Sequence, residues 1–550
     1  MNFKYSIIIV FLYWCFFISG LIFPVGVIAQ RIPAGMPLME ETFRRMQLYS
    51  DDERYLYSFN LRPVLELDWK KEYLNSQNDS LKSKESKNNL TLKNKSVFFQ
   101  LLPAISQTRY QHPTPYPSSG YLINSNGGQY HIQLGAYFKF GPIHFQFQPA
   151  FRWIENKILE EGMVKSVSTE YFLNYGDGVY NELFKGQSSI TIEAGSFSLG
   201  VSNENIWWGP GQWNSLTFSN NSFGFPHLFL KSRRPAKTFL GSFEGQLLMG
   251  SLKNSGFSSI YFEERRYLNA LLLSYSPKWV PGLSIGFSRT FQQYESFREN
   301  SFESLFPVFS PVQKIRYGFS EDLSNQANRD QQITIFTRYV FNSALAEFYA
   351  EFGRRDHALN WREAILNPEH ARAFLLGFNK LIPFPSNSFL QIRSEILHQQ
   401  SSINRFIRYR GRNFGLNWSG HGIVREGFTH RGQMMSSGIG PGSNIQILEL
   451  ARVKNLDKIG FRLERLARYQ DFFVTTYSFN NLKERNWVDL SMVFLFDKNW
   501  GQFAIQSEGR ITNSYNKEWK LNNQSTVDFP KSSIFFSYGA QLNILYFFGK

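Results

Sequence analysis

The chain has 550 residues, with 59 basic against 44 acidic side chains (net +15) and a mean hydropathy of −0.32, yet 17% of it is aromatic, including 55 Phe and 27 Tyr. Its single cysteine, Cys15, lies in an N-terminal apolar stretch, which excludes disulfide staples, thiolate metal sites and a cysteine nucleophile from everything after that stretch. No later segment offers the roughly 18 uninterrupted apolar residues of a membrane helix, so the rings either fill a soluble β-core or face lipid from every second position of a strand.

Residues 1–29 have the form of an export signal. Lys4 is the n-region charge, Tyr5 to Ile22 the apolar stretch, and Val27-Ile28-Ala29 the small-residue cleavage site before Gln30. Taking Lys4 from the total of +15 leaves +14 on the exported chain. Such an excess favours anionic partners, acidic polysaccharide or lipopolysaccharide phosphate, although solvated loops and a Lys-rich linker account for it equally well.

Residues 30–65 differ from the rest. Met36, Met39, Phe43 and Met46 recur at helical spacing, with Glu40 and Glu41 toward the start and Arg44 and Arg45 toward the end, as the helix dipole favours. The pattern predicts a small helical segment on the periplasmic side, ahead of the strand-rich remainder of the chain. Residues 66–96, with Lys82-Ser83-Lys84-Glu85-Ser86-Lys87-Asn88-Asn89 near their middle, are too polar to pack and read as a linker or insertion.

From 97 to 550 period-two alternation keeps returning. Between Gly127 and Trp153, Ile132, Leu134, Ala136, Phe138, Phe140, Ile143, Phe145, Phe147 and Phe151 share one face, against Gln133, Tyr137, Lys139, His144, Gln146, Gln148 and Arg152. A turn at Gly141-Pro142 sets Phe140 opposite Ile143 and Phe138 opposite Phe145. Ile333 to Phe341 and Ala344 to Phe352 form a second hairpin about Asn342-Ser343, which sets Arg338 opposite Glu347 and Phe336 opposite Tyr349 on the inner face. Leu390, Ile392 and Ile396 face away from Gln391, Arg393 and Glu395. The last strand carries Phe536, Tyr538, Ala540, Leu542, Ile544, Tyr546 and Phe548 on one side. The fold class is therefore all-β, a transmembrane antiparallel β-barrel. Strands of about 10 residues spaced at about 25 residues give roughly 16–20 of them, with an even number near 18 expected.

Two stretches refuse to alternate. In 203–234, Gly209-Pro210-Gly211 forces a turn among Trp207, Trp208 and Trp213, with Asn205, Gln212 and Asn214 nearby and Arg233 and Arg234 at the end. Flat rings beside amides and guanidinium groups suit a glycan, the ring on the C–H face and the polar groups on hydroxyls or carboxylates. The same tryptophans equally suit an interfacial girdle or the core of a loop folded into the lumen. The second stretch, 421–443, is glycine-rich and carries His430 and Arg431, which suit an acidic sugar or serve as satisfied lumen residues. Just before it, Arg408, Arg410 and Arg412 alternate as a cationic ladder if extended as a strand, or lie on a solvated loop.

Catalytic signals are poor. Gly282-Leu283-Ser284-Ile285-Gly286 matches a nucleophile elbow, but alternating Leu283, Ile285 and Phe287 make Ser284 a lumen-facing strand residue. Glu347 and Glu351 face inward without forming an evident acid/base pair, and the nine histidines show no metal-ligand spacing. Neither an enzyme activity nor a cofactor is expected.

The off-pattern segments also carry a family resemblance. Ile206-Trp207-Trp208-Gly209-Pro210-Gly211 with Asn214-Ser215-Leu216, Gly224-Phe225-Pro226-His227, Tyr275-Ser276-Pro277-Lys278-Trp279, Glu369-His370-Ala371-Arg372-Ala373 and Gly427-Phe428-Thr429-His430-Arg431-Gly432-Gln433 resemble the capsule-assembly Wzi family. The resemblance runs from Leu61-Arg62-Pro63 onward, departing from it at Asn124-Ser125-Asn126-Gly127-Gly128 and in the polar insertion. It implies an outer-membrane barrel of about 18 strands with a small N-terminal helical part, acting as a lectin that holds exported capsular polysaccharide at the cell surface. Expected partners are that polysaccharide and outer-membrane lipid, with no nucleic acid, for a monomer whose pore is narrowed by inward loops. A porin for small solutes is the rival reading; a hydrolase would need a serine or carboxylate dyad near His430.

Overall fold

The computed structural model describes residues 37–49, 57–63, 97–113, 119–156, 178–255, 264–311, 329–355, 365–385, 388–402, 418–476, 486–520 and most of 522–548. The expected signal at 1–29, the linker at 66–96 and the Arg408/Arg410/Arg412 ladder lie outside them. Among the described residues, eighteen antiparallel strands, three of them interrupted, close into one barrel. The first, Val97–His112, pairs with the last, Ile534–Tyr546, so no edge is left open.

Alternation decides which way each side chain points. Phe138, Phe140, Phe145, Phe147, Ile190, Ile192, Phe348, Phe352, Phe494 and Phe496 are exposed on the outside, although most of the chain's polar strand residues are buried. Gln129, His131, Gln133, Gln391, Arg393 and Glu395 lie inside, beyond reach of hydrocarbon. An apolar skin around a polar interior is the arrangement of a membrane-spanning barrel.

The Gly141-Pro142 turn has the expected register, with Phe140 opposite Ile143 and Phe138 opposite Phe145. The second hairpin differs. Residues 342–345 make a wider turn, a 3-10 turn ending on Leu345 in the left-handed region, so Phe341 pairs with Ala346 and the register moves by two. Arg338 is opposite Tyr349 rather than Glu347, and Phe336 opposite Glu351. A shift of two keeps every side chain on its face, and the Arg338 guanidinium still reaches Glu347 diagonally, at 2.6 Å.

Short turns (141–142, 195–196, 342–345, 455–456, 501–502) gather at one end and the long connections at the other. In outer-membrane barrels the short-turn end faces the periplasm. Helix α1, Pro37–Tyr49, docks at that end. Leu38, Met39 and Phe43 pack with Phe59, Leu456, Leu545 and Phe547, and Met46 leans on the same cluster. The polar face of α1 does more than complement its dipole. Arg44 pairs with Glu347 at 3.2 Å, and Glu41 takes Arg393 at 2.9 Å and Lys458 at 3.0 Å, all from the barrel wall. Burial would raise the Glu41 carboxyl, but Arg393, Lys458 and Arg45 together hold it well below the carboxylate range. Residues 57–63 follow α1 into the lumen, where Leu61–Arg62 pairs antiparallel with Trp207–Trp208.

A filled lumen as the candidate functional site

The connection 203–226 leaves the long-loop end and runs down inside the barrel. Its Gly209-Pro210-Gly211 turn is held from both sides. Arg62 donates to Gly209 O and Gly211 O, each at 2.8 Å, and Arg44 to Pro210 O at 2.6 Å. From the wall, Glu351 accepts the N–H groups of Gly211 (3.0 Å) and Leu216 (2.9 Å). Glu395 accepts those of Gln212 (2.8 Å) and Asn214 (2.9 Å), and the Tyr349 hydroxyl at 2.9 Å. Gly209 has φ of +99°, and a Cβ there would collide with the Glu351 carboxylate, so the turn needs its glycine twice over.

A second connection, 418–443, packs on the first. Trp418 donates its indole N–H to Leu216 O at 3.0 Å, Ser219 N–H bonds Met435 O at 2.8 Å, and Ser437 donates to Asn214 at 2.6 Å. Arg266, from the wall, holds the carbonyls of Gly427 (2.8 Å) and Thr429 (2.9 Å). Charge-assisted bonds to backbone carbonyls fix both loops without consuming their side chains.

The expected site residues separate into several environments. Trp208 is core: it meets Phe218 edge-on at 4.9 Å and donates to Gln246 at 3.0 Å. Trp207 carries the Arg62 guanidinium 4.3 Å above its ring, and its indole N–H has no hydrogen-bond partner among the described residues. Trp213 is half-buried under Arg393 at 4.5 Å. Asn205 is structural, its carbonyl oxygen taken by Gln187 (2.9 Å) and Gly224 N–H (2.6 Å). Arg233 and Arg234 follow the strand His227–Ser232 at the short-turn end, Arg233 pairing with Glu193 at 2.8 Å, so they do not join the tryptophans.

His430 cannot supply a positive charge. It is buried against Phe223 at 5.3 Å, and its Nδ1 accepts the Lys253 N–H at 3.2 Å. Burial, with Arg266, Arg431 and Lys253 around it, pushes its pKa down to about 3. Arg431, with 40% of its side chain exposed, lies over Phe184 and Phe223 at 5.6 and 5.8 Å and 3.7 Å from Glu182. Ser284 is buried on the inner face of its strand, 3.4 Å from Asn60.

Beside the loops runs a cavity of about 200 Å³, below the roughly 300–1,000 Å³ of ordinary small-molecule pockets. One side is Trp207, Gln212, Trp213, Asn214, Ser219, Asn220 and Asn221; the other is wall, including Arg109, Arg462, Arg468, Arg510, Gln506, Gln541 and Asn543. Three of the wall arginines are paired with carboxylates, Arg510 and Arg462 with Glu464 (both 2.7 Å), Arg462 also with Glu508 (3.1 Å) and Arg468 with Asp489 (2.5 Å), while Arg109 donates to Gln541 Oε1 at 2.9 Å. The overall basic excess is therefore not concentrated here. Rings, amides and neutralised guanidinium groups are chemistry for hydroxyl-rich ligands. Sequence reasoning missed Arg44, Arg62 and Glu395, whose signal was only an inward parity or a place outside the barrel pattern.

A family model described as capsule assembly protein Wzi matches residues 121–500. Among solved structures, Wzi of Escherichia coli, described as an outer membrane protein involved in group 1 capsule assembly and a carbohydrate-binding β-barrel, is 12% identical. It superposes with a TM-score of 0.59 over 95% of this chain and 100% of that one, which shows the shared fold. OccAB2 of Acinetobacter baumannii is 10% identical, with a TM-score of 0.39 over 81% of this chain and 97% of that one. OpdQ of Pseudomonas aeruginosa is 8% identical, with a TM-score of 0.38 over 82% and 97%. No curated protein sequence matches.

Proposed function

The chain belongs to the capsule assembly protein Wzi family, and from that premise we propose that it binds and retains capsular or another surface polysaccharide at the outer face of the outer membrane. The observation that carries the reading is the lumen filled by the chain's own segments. Residues 57–63, 203–226 and 418–443 meet inside the barrel through buried hydrogen bonds. Such an interior favours binding over passage. What it leaves is the cavity flanked by Trp207 and Trp213, open to hydroxyl recognition by Asn220 and the wall amides. Arg431 supplies a partly exposed guanidinium for an acidic sugar. A long polymer is held by many such weak contacts, so a deep pocket is not required. The reading contains no catalytic step.

Two measurements test it. Deleting the gene should move surface glycan from the cells into the medium, and unchanged retention would refute the tether. Purified protein should bind the cell's own surface polysaccharide, and Trp213→Ala should weaken that binding several-fold while the barrel keeps its heat-modifiable migration. The porin reading makes the opposite forecast in a planar bilayer, a steady large current from the wild-type protein.

A further inference from the structure

Three neighbouring strands break the apolar skin. On Arg266–Pro277, Leu283–Tyr294 and Asp330–Phe341 the outward positions toward the long-loop end include the polar side chains Asn269, Arg289, Gln293 and Gln331, and these four are buried. They have the same parity as Leu273, Ile285 and Ile335, which stand exposed lower on the same strands. An arginine pointing out of a barrel wall toward hydrocarbon is unfavourable unless something covers it.

Segment 301–311 does so by folding over the outside of the wall. Arg289 donates to Gln331 Oε1 from Nε (2.9 Å) and Nη2 (2.6 Å), to Val308 O at 3.0 Å, to Pro311 O at 3.1 Å, and to Ser310 O. Asn269 Oδ1 accepts the Val308 N–H at 3.2 Å and Tyr267 donates to Leu305 O at 2.5 Å. The segment is thereby strapped to the barrel through its backbone. Its own short helix, Phe302–Leu305, starts at Ser301, whose side chain accepts the Ser304 N–H. All this turns Phe302 and Phe309 outward, 70% and 57% exposed, with the Phe306 ring 5.1 Å from the first and 6.3 Å from the second.

We propose that segment 301–311 is an external apron that docks into the outer-leaflet lipid, with Phe302, Phe306 and Phe309 extending the lipid-facing band of the three strands upward. Continuity with that band selects lipid as the occupant: the rings continue the surface of Leu273, Ile285 and Ile335 rather than facing the lumen. Rings with arginine close by (Arg298 lies 5.1 Å over Tyr267) are suited to the boundary between acyl chains and anionic headgroups. Arg289 is the anchor that makes the loop an external feature instead of a free extracellular one.

Photo-crosslinking in intact outer membranes tests this. A benzoylphenylalanine is introduced at Phe302 or, separately, at Phe309; both sites are exposed, and heat-modifiable migration identifies folded protein. Leu273 serves as the lipid-facing control and Ser288, on the lumen side, as the negative one. The expected result is acyl-chain adducts at 302, 309 and 273 and none at 288. Adducts at 302 and 309 with polysaccharide that carries no acyl chain, with a second copy of this chain or with another protein of discrete mass would overturn the proposal. So would the absence of any adduct there when position 273 is labelled.

Discussion

Trp207, Trp208 and Trp213 are close neighbours in sequence and yet do different things. Trp208 is enclosed, with its N–H satisfied by Gln246 and its face against Phe218, whereas Trp207 and Trp213 border the cavity with arginines on them. Replacing an enclosed tryptophan by alanine removes its burial and leaves a cavity, at a cost of about 3–5 kcal/mol. Trp208→Ala should therefore lower the unfolding midpoint in denaturant markedly, with Gln246 left unpaired, and Trp213→Ala should change it little. Equal midpoints for the two variants would place Trp208 outside the core. The sequence shows three rings round a Gly-Pro-Gly turn, but in a loop no periodicity says which ring faces which way. That depends on Arg62, Glu351 and Glu395, brought in from far along the chain.

Strands, by contrast, announce their faces. Period two is local, so the inner and outer sides of the 127–153 and 330–355 hairpins were readable, and α1 was readable from its apolar stripe. Registers are less local. Asn342-Ser343 suggests a two-residue turn, while Leu345 in the left-handed region widens it, and only the parity survived. The in-folded loop 418–443 was legible as an interruption and illegible as a lid over 203–226, since its bonds are mostly to backbone carbonyls, which carry no residue signature. That loop also has a pH signature. His430 titrates near 6.5 when unfolded and at about 3 in place, because burial and neighbouring cations oppose its protonation. A lowered folded value means the packing is fully present above about 6.5 and lost as pH falls toward 3. Wild type should thus lose more thermal stability between pH 7.5 and pH 4.5 than His430→Gln does. Parallel pH profiles would show that His430 is not what couples the loop to protons.

For the molecule as a whole, the barrel is closed by contacts between segments that enter from opposite ends. Arg44 and Arg62 come from the short-turn side and grip the Gly209-Pro210-Gly211 carbonyls; the loop they hold descends from the other side. Wall carboxylates hold the same turn by its N–H groups. Hydrogen bonds to a charged partner contribute about 1.5–3 kcal/mol each, and removing one member of a buried pair adds a penalty for the charge left behind, which falls on Glu40, since Glu347 keeps Arg338 at 2.6 Å. Strand pairing is untouched by either arginine, so the wall and the plug can be uncoupled experimentally. Arg44→Ala combined with Arg62→Ala should fold into the membrane with normal heat-modifiable migration and show channel openings in a planar bilayer where the wild type is silent. If the double variant is equally silent, the wall carboxylates Glu351 and Glu395 alone hold the turn, and α1 does not help keep the lumen shut. If it fails to insert at all, the N-terminal segment is needed to close the cylinder, and plug and wall are one cooperative unit rather than two.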